Sequence, residues 1–444
     1  MRFPEKGISE QELFERLKAY KTGDGKWKEG RIFSLVYYAG EEITSVAERA
    51  YLEFFHTNAL NPFVFGSLKR FESEVLSMTA ELFHGDEETA GSLTSGGSES
   101  LLMAVKTYRD EARRLKPHIK EPEMILPITA HASIEKAAHY FGVKAVHVGV
   151  DKEYRADLKA VEAAITENTI LLIGSAPQYP QGIVDPIEGL GKLAVKYGLR
   201  LHVDSCLGGF ALPFLKELGV DIPPFDFEVE GVTSISADLH KYAFAAKGVS
   251  VLLYKNKDIR RFQYFSYSNW PGGLFISPSA TGTRPGGAIA SAWAVVNYVG
   301  KEGYRRIQKE IKATTDRFLD GIRKIEELYI LGDPKIGVFA FGAKTLNVHA
   351  LADILEHKGW VIDQQANPDC LHFMITPAHK DSAEEFLKDL KSSVEILKAS
   401  PEKFLDGSAA LYGMSAAIPD KVQVNEYILE SYNNFMKVDG EFKI

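Results

Sequence analysis

The sequence predicts an α/β fold: a mostly parallel sheet flanked by helices, followed by a smaller C-terminal α+β domain. Three observations carry this expectation. Between about residues 90 and 254, short apolar runs alternate with stretches of helical period, the pattern of successive βαβ units. Several of those runs, such as "TILLIGSAP" and "SVLLY", are apolar almost throughout, as strands covered on both faces require. From about residue 301 the pattern changes to helices mixed with a few short strands. The chain has 444 residues, 45% apolar and 25% charged, which is ordinary globular composition and ample for a sizeable core.

The elements follow in order. Ser9 and Glu12 form a Ser-x-x-Glu capping box, and Leu13, Phe14 and Leu17 then share one helical face. Further helices are expected at about 41–56 and 69–84, with Phe71, Val75, Met78 and Leu82 at helical spacing in the second. "SLTSGGSESLLMAVKTYRDEARRL" reads as a loop opening a helix. "EMILPI", "AVHVGV", "TILLIGSAP" and "RLHVDS" read as strands, separated by the helices "SIEKAAHYF", "LKAVEAAI" and "IEGLGKLAVKYG". "VTSIS" and "GVSVLLY" add two strands, and a long helix follows "TGTRPGG". "WVIDQ" and "LHFMIT" are short strands of the C-terminal part, and the tail at 401–444 has no clear period. The chain thus divides into an N-terminal helical segment (1–60), a large domain (61–300) and a small domain with a tail (301–444).

Charge and cysteine content narrow the function. A net charge of −8 without a basic tract argues against nucleic acid as a partner. Two cysteines, Cys206 and Cys370, do not make a disulfide framework and suit a reducing compartment. The first residues lack the apolar core of a signal peptide, and no run reaches the ~18 apolar residues of a membrane span. A cytoplasmic protein without a transmembrane segment is expected, and no metal site.

Four motifs carry chemistry. "TSGGSES" opens a helix, where glycines let a ligand approach the backbone and the helix start offers unpaired N–H groups for a phosphate. Asp204 ends the apolar strand of "LHVDSCLGGF", at the edge where open α/β sheets bind ligands, and a carboxylate there can hold a protonated ring nitrogen. His131 follows another strand and could stack on an aromatic ligand. In "SADLHKYAFAAKGVSVLLY", Lys241 and Lys247 sit among small residues before an apolar run, where a cation is costly unless it is used. Each motif alone has a structural explanation: a serine-rich N-cap, an Asp capping the next helix, a half-buried histidine. Together and in this order they specify pyridoxal 5'-phosphate, with the lysine as Schiff-base amine, the Asp on the pyridine nitrogen and the cup on the phosphate.

These residues resemble the pyridoxal-phosphate lyases of the group II decarboxylase-like branch. The matching stretches are "TSGGSESLLMAVKTYRD", "HASIEKAAHYFGVKAV", "SAPQYPQGIVDPI", "HVDSCLGGF", "SADLHKYAFAAKG" and "TGTRPGG", and "GWVIDQ" with "LHFMITPAH" resembles the family's small domain. The resemblance implies the pyridoxal-phosphate-dependent transferase fold (fold type I) and a homodimer with shared active sites. It makes Lys241 the Schiff-base lysine, Asp204 the partner of the pyridine nitrogen and His131 the residue stacked on the ring, with Cys206 against the opposite face. Gly97, Ser98 and His240 would hold the cofactor phosphate, with Thr283 contributed by the neighbouring subunit. Tyr37, Asn58, Tyr179 and Lys247 match positions that handle substrate and its phosphate. Decarboxylases of this branch usually carry tryptophan after His-Lys and lack the second lysine; here Tyr242 follows Lys241, and Lys247 is present.

The sequence departs from the family at four positions. Asn61 stands where a histidine near the substrate phosphate is usual, and it can hydrogen-bond but not carry charge. Phe63 replaces an aspartate, Ala243 a glycine and Ala246 a proline. The activity implied is retro-aldol cleavage of a phosphorylated sphingoid base to a long-chain aldehyde and phosphoethanolamine, with Lys241 or Tyr179 as the base. The alternatives are a group II amino-acid decarboxylase and a cofactor-binding scaffold without catalysis.

Overall fold

A computed structural model describes residues 3–61, 63–404, 407, 408, 412, 418 and 421–436. Pro62 and much of the aperiodic tail at 401–444 lie outside the described residues.

A seven-stranded sheet organises the large domain. Its strands are β1 (Ala90–Thr94), β2 (Glu123–Pro127), β3 (Lys144–Val148), β4 (Thr169–Ser175), β5 (Arg200–Asp204), β6 (Val232–Ala237) and β7 (Ser250–Tyr254), in the spatial order β1-β7-β6-β5-β4-β2-β3. The pairings β2·β3, β2·β4, β4·β5 and β5·β6 are parallel, while β7 runs antiparallel to both β6 and β1. The expected mostly parallel sheet is therefore present, with one reversed strand. Every residue of β2, β4 and β7 is buried, which is why those runs are apolar except at their ends. The intervening helices Ser133–Phe141, Leu158–Ala164 and Ile187–Tyr197 begin at their expected starts, and Gly97–Leu115 begins within the stretch read as a loop opening a helix. The stretch "SLT", read as loop, belongs to β1. Its pairing with β7, from Ala90 opposite Tyr254 to Thr94 opposite Ser250, outweighs the weak strand preference of Gly and Ser.

An exposed hairpin of β8 (Phe265–Trp270) and β9 (Gly273–Ser277) follows, which the sequence analysis does not anticipate. Its first strand, "FSYSNW", carries a period-two alternation that could have signalled it. A long helix, Gly286–Arg323, leads out of the large domain and is interrupted at Gly300, whose φ of 56° leaves the helical region. Beyond it lies an antiparallel sheet of β10 (Leu328–Ile330), β11 (Val338–Ala343), β12 (Asp363–Gln365) and β13 (Cys370–Met374), in the order β10-β11-β13-β12. The helices Val348–His357 and Ala383–Ala399 belong to this part, and a further helix, Lys421–Phe435, lies in the tail where no period was legible.

The N-terminal segment has two parts. In the helix Glu10–Tyr20, Ser9 caps the start by accepting from the Glu12 N–H, yet Leu13, Phe14 and Leu17 stay about half exposed. Residues 31–37 lie against the small sheet instead. The Phe33 N–H donates to the Val361 carbonyl, the Met374 N–H donates to the Phe33 carbonyl, and the Phe33 ring packs among Trp360, Phe373 and Phe386. This anchoring brings Ser34 and Tyr37 up to the candidate site.

Candidate active site

Four parallel strands end on one side of the sheet, and the residues just past those ends converge. β4 ends at Ser175, with Tyr179 four residues on; β5 ends at Asp204, with Cys206 two on; β6 ends at Ala237, just before Asp238, His240 and Lys241. β2 ends at Pro127, with His131 beyond. Register aligns the ends, because Ser175 faces Asp204 and Asp204 faces Ser236. β1 leads into the helix Gly97–Leu115 through Ser95 and Gly96. The result is a cavity of about 400 Å³ lined by Gly97, Ser98, His131, Tyr179, Asp204, Cys206, Asp238, His240 and Lys241. Eight of these were singled out from the sequence; Asp238 was not. Its signal was its place three residues before Lys241.

Asp238 sets the electrostatics of the cavity. Its carboxylate lies 2.9 Å from Lys241 Nζ and 3.5 Å from His240 Nε2. Burial disfavours the charge of both partners, but their attraction outweighs it. The Asp238 carboxyl is held below the usual carboxylate range and the Lys241 ammonium above the usual lysine range. With Asp238 against it, the amine is held as the ammonium. The Gly248 and Val249 N–H groups donate to His240 Nδ1, which leaves Nε2 to face Asp238. Burial pushes the His240 ring down.

The remaining groups are equally fixed. Asp204 is buried, and its Oδ1 accepts from the Cys206 N–H at 3.0 Å. The Cys206 thiol donates to Ser236 Oγ at 3.3 Å, and burial pushes the thiol well up, so it is an apolar wall rather than a nucleophile. His131 Nδ1 accepts from the Ser133 N–H, and the Ser98 and Ser133 hydroxyls bond at 2.7 Å. A Cβ on Gly97 would stand 2.7 Å from Asp238 Oδ2 and 3.0 Å from Cys206 Sγ, so glycine is what keeps this corner of the cavity open. Size, helix N-terminus, buried strand-end carboxylate and lysine amine suit pyridoxal phosphate.

Tyr37 and Lys247 line a neighbouring cavity of about 380 Å³. Lys247 Nζ lies 4.7 Å from the Tyr37 ring centre and donates to the Leu35 and His240 carbonyls. Loss of water around it and the like charge of Lys241 push its ammonium down to about 8, although the side chain as a whole remains exposed. Tyr37 donates to Met374 Sδ, and burial raises it. Asn61 is elsewhere. It lines a cavity of about 310 Å³ with Arg260 and Arg284, and its Oδ1 accepts from the Phe63 N–H. Asn58 bridges to Pro285 through its backbone and accepts from the Leu60 N–H, and Thr283 is exposed. Neither lines the Lys241 cavity.

The replacements near Lys241 are accommodated. Ala243 is fully buried and its carbonyl accepts from the Tyr304 hydroxyl at 3.0 Å, while the left-handed conformation falls on Phe244, at φ 62°. The Ala246 N–H donates to Ser291 Oγ, a bond that proline could not make.

Comparison with known proteins agrees with this geometry. Residues 3–344 match the pyridoxal-dependent decarboxylase conserved domain. A sphingosine-1-phosphate lyase of Arabidopsis thaliana is 44% identical over 435 residues, 96% of this chain and 79% of its own. Sphingosine-1-phosphate lyase 1 of Rattus norvegicus is 43% identical over 426 residues, 95% of this chain and 75% of its own. The solved sphingosine-1-phosphate lyase of Burkholderia pseudomallei superposes with a TM-score of 0.89 at 36% identity, covering 99% of this chain and 97% of that one. With its cavity built at the strand ends around Lys241 and Asp204, the chain belongs to the pyridoxal-dependent decarboxylase family and, within it, to the sphingosine-1-phosphate lyases.

Proposed function

We propose that this protein cleaves a phosphorylated sphingoid base by a retro-aldol reaction, releasing a long-chain aldehyde and phosphoethanolamine. The observation that carries the reading is the second cation, Lys247, seated with Tyr37 beside the Lys241 cavity. A decarboxylase needs no phosphate clamp there. A lyase does, because a held phosphate sets which bond of the substrate stands ready to break.

Pyridoxal phosphate, when bound, would supply the electron sink for the charge left by cleavage. Lys241 is the amine that would hold it. Asp204 would keep its ring nitrogen charged, and His131 and Cys206 would flank the ring. The Gly97 backbone, Ser98 and His240 would receive its phosphate at the helix start, with Thr283 of a neighbouring chain. Tyr37 and Lys247 would hold the substrate phosphate. Lys241, in its neutral form, and Tyr179 are the candidates to take the 3-hydroxyl proton. Tyr179 would do so only by passing its own phenol proton to Asp363 Oδ2 in the same step, since burial and its bond to Asp363 keep the phenol neutral.

Asn58, Asn61 and Thr283 lie off the Lys241 cavity, which supports a homodimer in which they serve the neighbouring chain. Among the described residues no helix is long and apolar enough to cross a membrane. The test is to incubate cofactor-loaded protein with a phosphorylated sphingoid base and assay for long-chain aldehyde. Aldehyde release is expected. Carbon dioxide from an amino acid, without aldehyde, would overturn the reading in favour of decarboxylation. Shared sites have their own assay: inactive Lys241→Ala and Thr283→Asp chains should regain activity when co-expressed.

A further inference from the structure

Tyr179 does not stand alone in the cavity wall. Its hydroxyl donates to Asp363 Oδ2 at 2.6 Å, and the Ser34 hydroxyl donates to Asp363 Oδ1 at 2.9 Å. Asp363 comes from β12 of the small sheet and Ser34 from the N-terminal segment, so three separate parts of the chain meet at one carboxylate. The ring of His372, on β13, lies 4.1 Å from the Tyr179 ring, and its Nδ1 faces the Pro180 carbonyl. Burial depresses that imidazole to about 4, so it is neutral and bonds Pro180 as an N–H donor. His131 meets Tyr179 edge-on at 6.3 Å on the cavity side.

A hydroxyl has one proton and two lone pairs. Here the proton is committed to a carboxylate, in a charge-assisted bond of short length. The oxygen's lone pairs are what remains for the cavity. Tyr179 is therefore an acceptor toward anything bound beside Lys241, and a substrate hydroxyl is the partner that an acceptor takes. We infer that Asp363, held by Ser34, is a positioning residue that fixes Tyr179 as the hydrogen-bond acceptor for the substrate 3-hydroxyl. The inference rests on the lyase reading and adds a specificity element to it: 3-hydroxylated amino alcohols over their 3-deoxy counterparts. The other groups facing the phenol are Tyr37, Lys241 and the two histidines; of these Lys241 is the charged one, and it opposes the effect of Asp363.

A double-mutant cycle tests this. Tyr179→Phe should lower kcat by on the order of 10²-fold, and Asp363→Ala by about tenfold with little change in KM. The double variant should be no slower than Tyr179→Phe alone, since Asp363 acts only through the phenol. Asp363→Asn, whose Oδ1 still accepts, should recover most of the loss. Additive losses would overturn the inference, as would a failure of Asn to recover activity in a protein that still unfolds at the wild-type temperature. A second readout does not depend on turnover. By calorimetry, a 1-phosphorylated sphingoid base should bind cofactor-free protein about fivefold more tightly than its 3-deoxy form. That preference should vanish in Asp363→Ala. Its persistence there would sink the positioning role even if wild-type protein released no aldehyde, an outcome that would count against the lyase reading separately.

Discussion

Lys241 and Lys247 stand six residues apart in one segment, and the two regions that they occupy treat a positive charge in opposite ways. At the cavity floor, Asp238 lies 2.9 Å from Lys241 and holds it charged against burial. In the neighbouring cavity, Lys247 has two carbonyls and an aromatic face but, among the described residues, no carboxylate within bonding distance, and its ammonium falls to about 8. A charge with a resident counter-ion is a built-in part of the site. A charge left short of one is a place for an anion to arrive. The difference separates a lysine that would hold the cofactor from a lysine that, on the proposed reading, would receive a substrate phosphate.

The most severe break of this comparison is Lys241→Ala. It should reduce turnover by at least about 10⁴-fold and remove the visible absorbance of bound cofactor. Retained activity would mean that Lys241 is not the cofactor lysine. Asp238→Ala should strand a mostly buried ammonium, destabilising the cofactor-free protein by about 3 kcal/mol in denaturant unfolding. An unchanged midpoint would show that the pair contributes nothing net.

Lys247 sharpens the contrast through pH. Its ammonium is charged below about 8 and neutral above, so kcat/KM for a phosphorylated substrate should fall as pH rises through that value. Lys247→Arg stays charged and should remove this fall. Lys247→Ala should raise KM about tenfold at neutral pH, with kcat little changed. An unaltered pH profile in the arginine variant would assign the limb to another group. The smallest effect belongs to Asn61→His, which should lower KM by about threefold if the residue serves a neighbouring chain's substrate phosphate. No change would confine Asn61 to its own cavity with Arg260 and Arg284.

How much was legible follows from how far each signal reaches along the chain. The alternation of apolar runs and helical periods is local, and it gave β2 to β7 and their helices nearly in place. Lys241, Asp204, His131 and the glycine–serine cup were legible because each sits at a strand end or a few residues past one, where this architecture gathers ligands. β1 was missed because "AGSLT" is a strand only through its pairing with β7. Asp363 left no mark at all. A single carboxylate in a short strand becomes meaningful only when Tyr179, 184 positions away, is brought to 2.6 Å.

By itself the sequence determined the α/β class, the cofactor apparatus and the family, because those depend on residue types at short, fixed spacings. Only the tertiary structure decided the charge state of Lys241, the desolvation of Lys247, the direction of the Tyr179 hydroxyl and the separation of Asn58, Asn61 and Thr283 from the Lys241 cavity. Proton affinity and hydrogen-bond direction are set by burial and by which groups lie within a few ångströms, and the fold fixes those distances between residues that the chain keeps far apart.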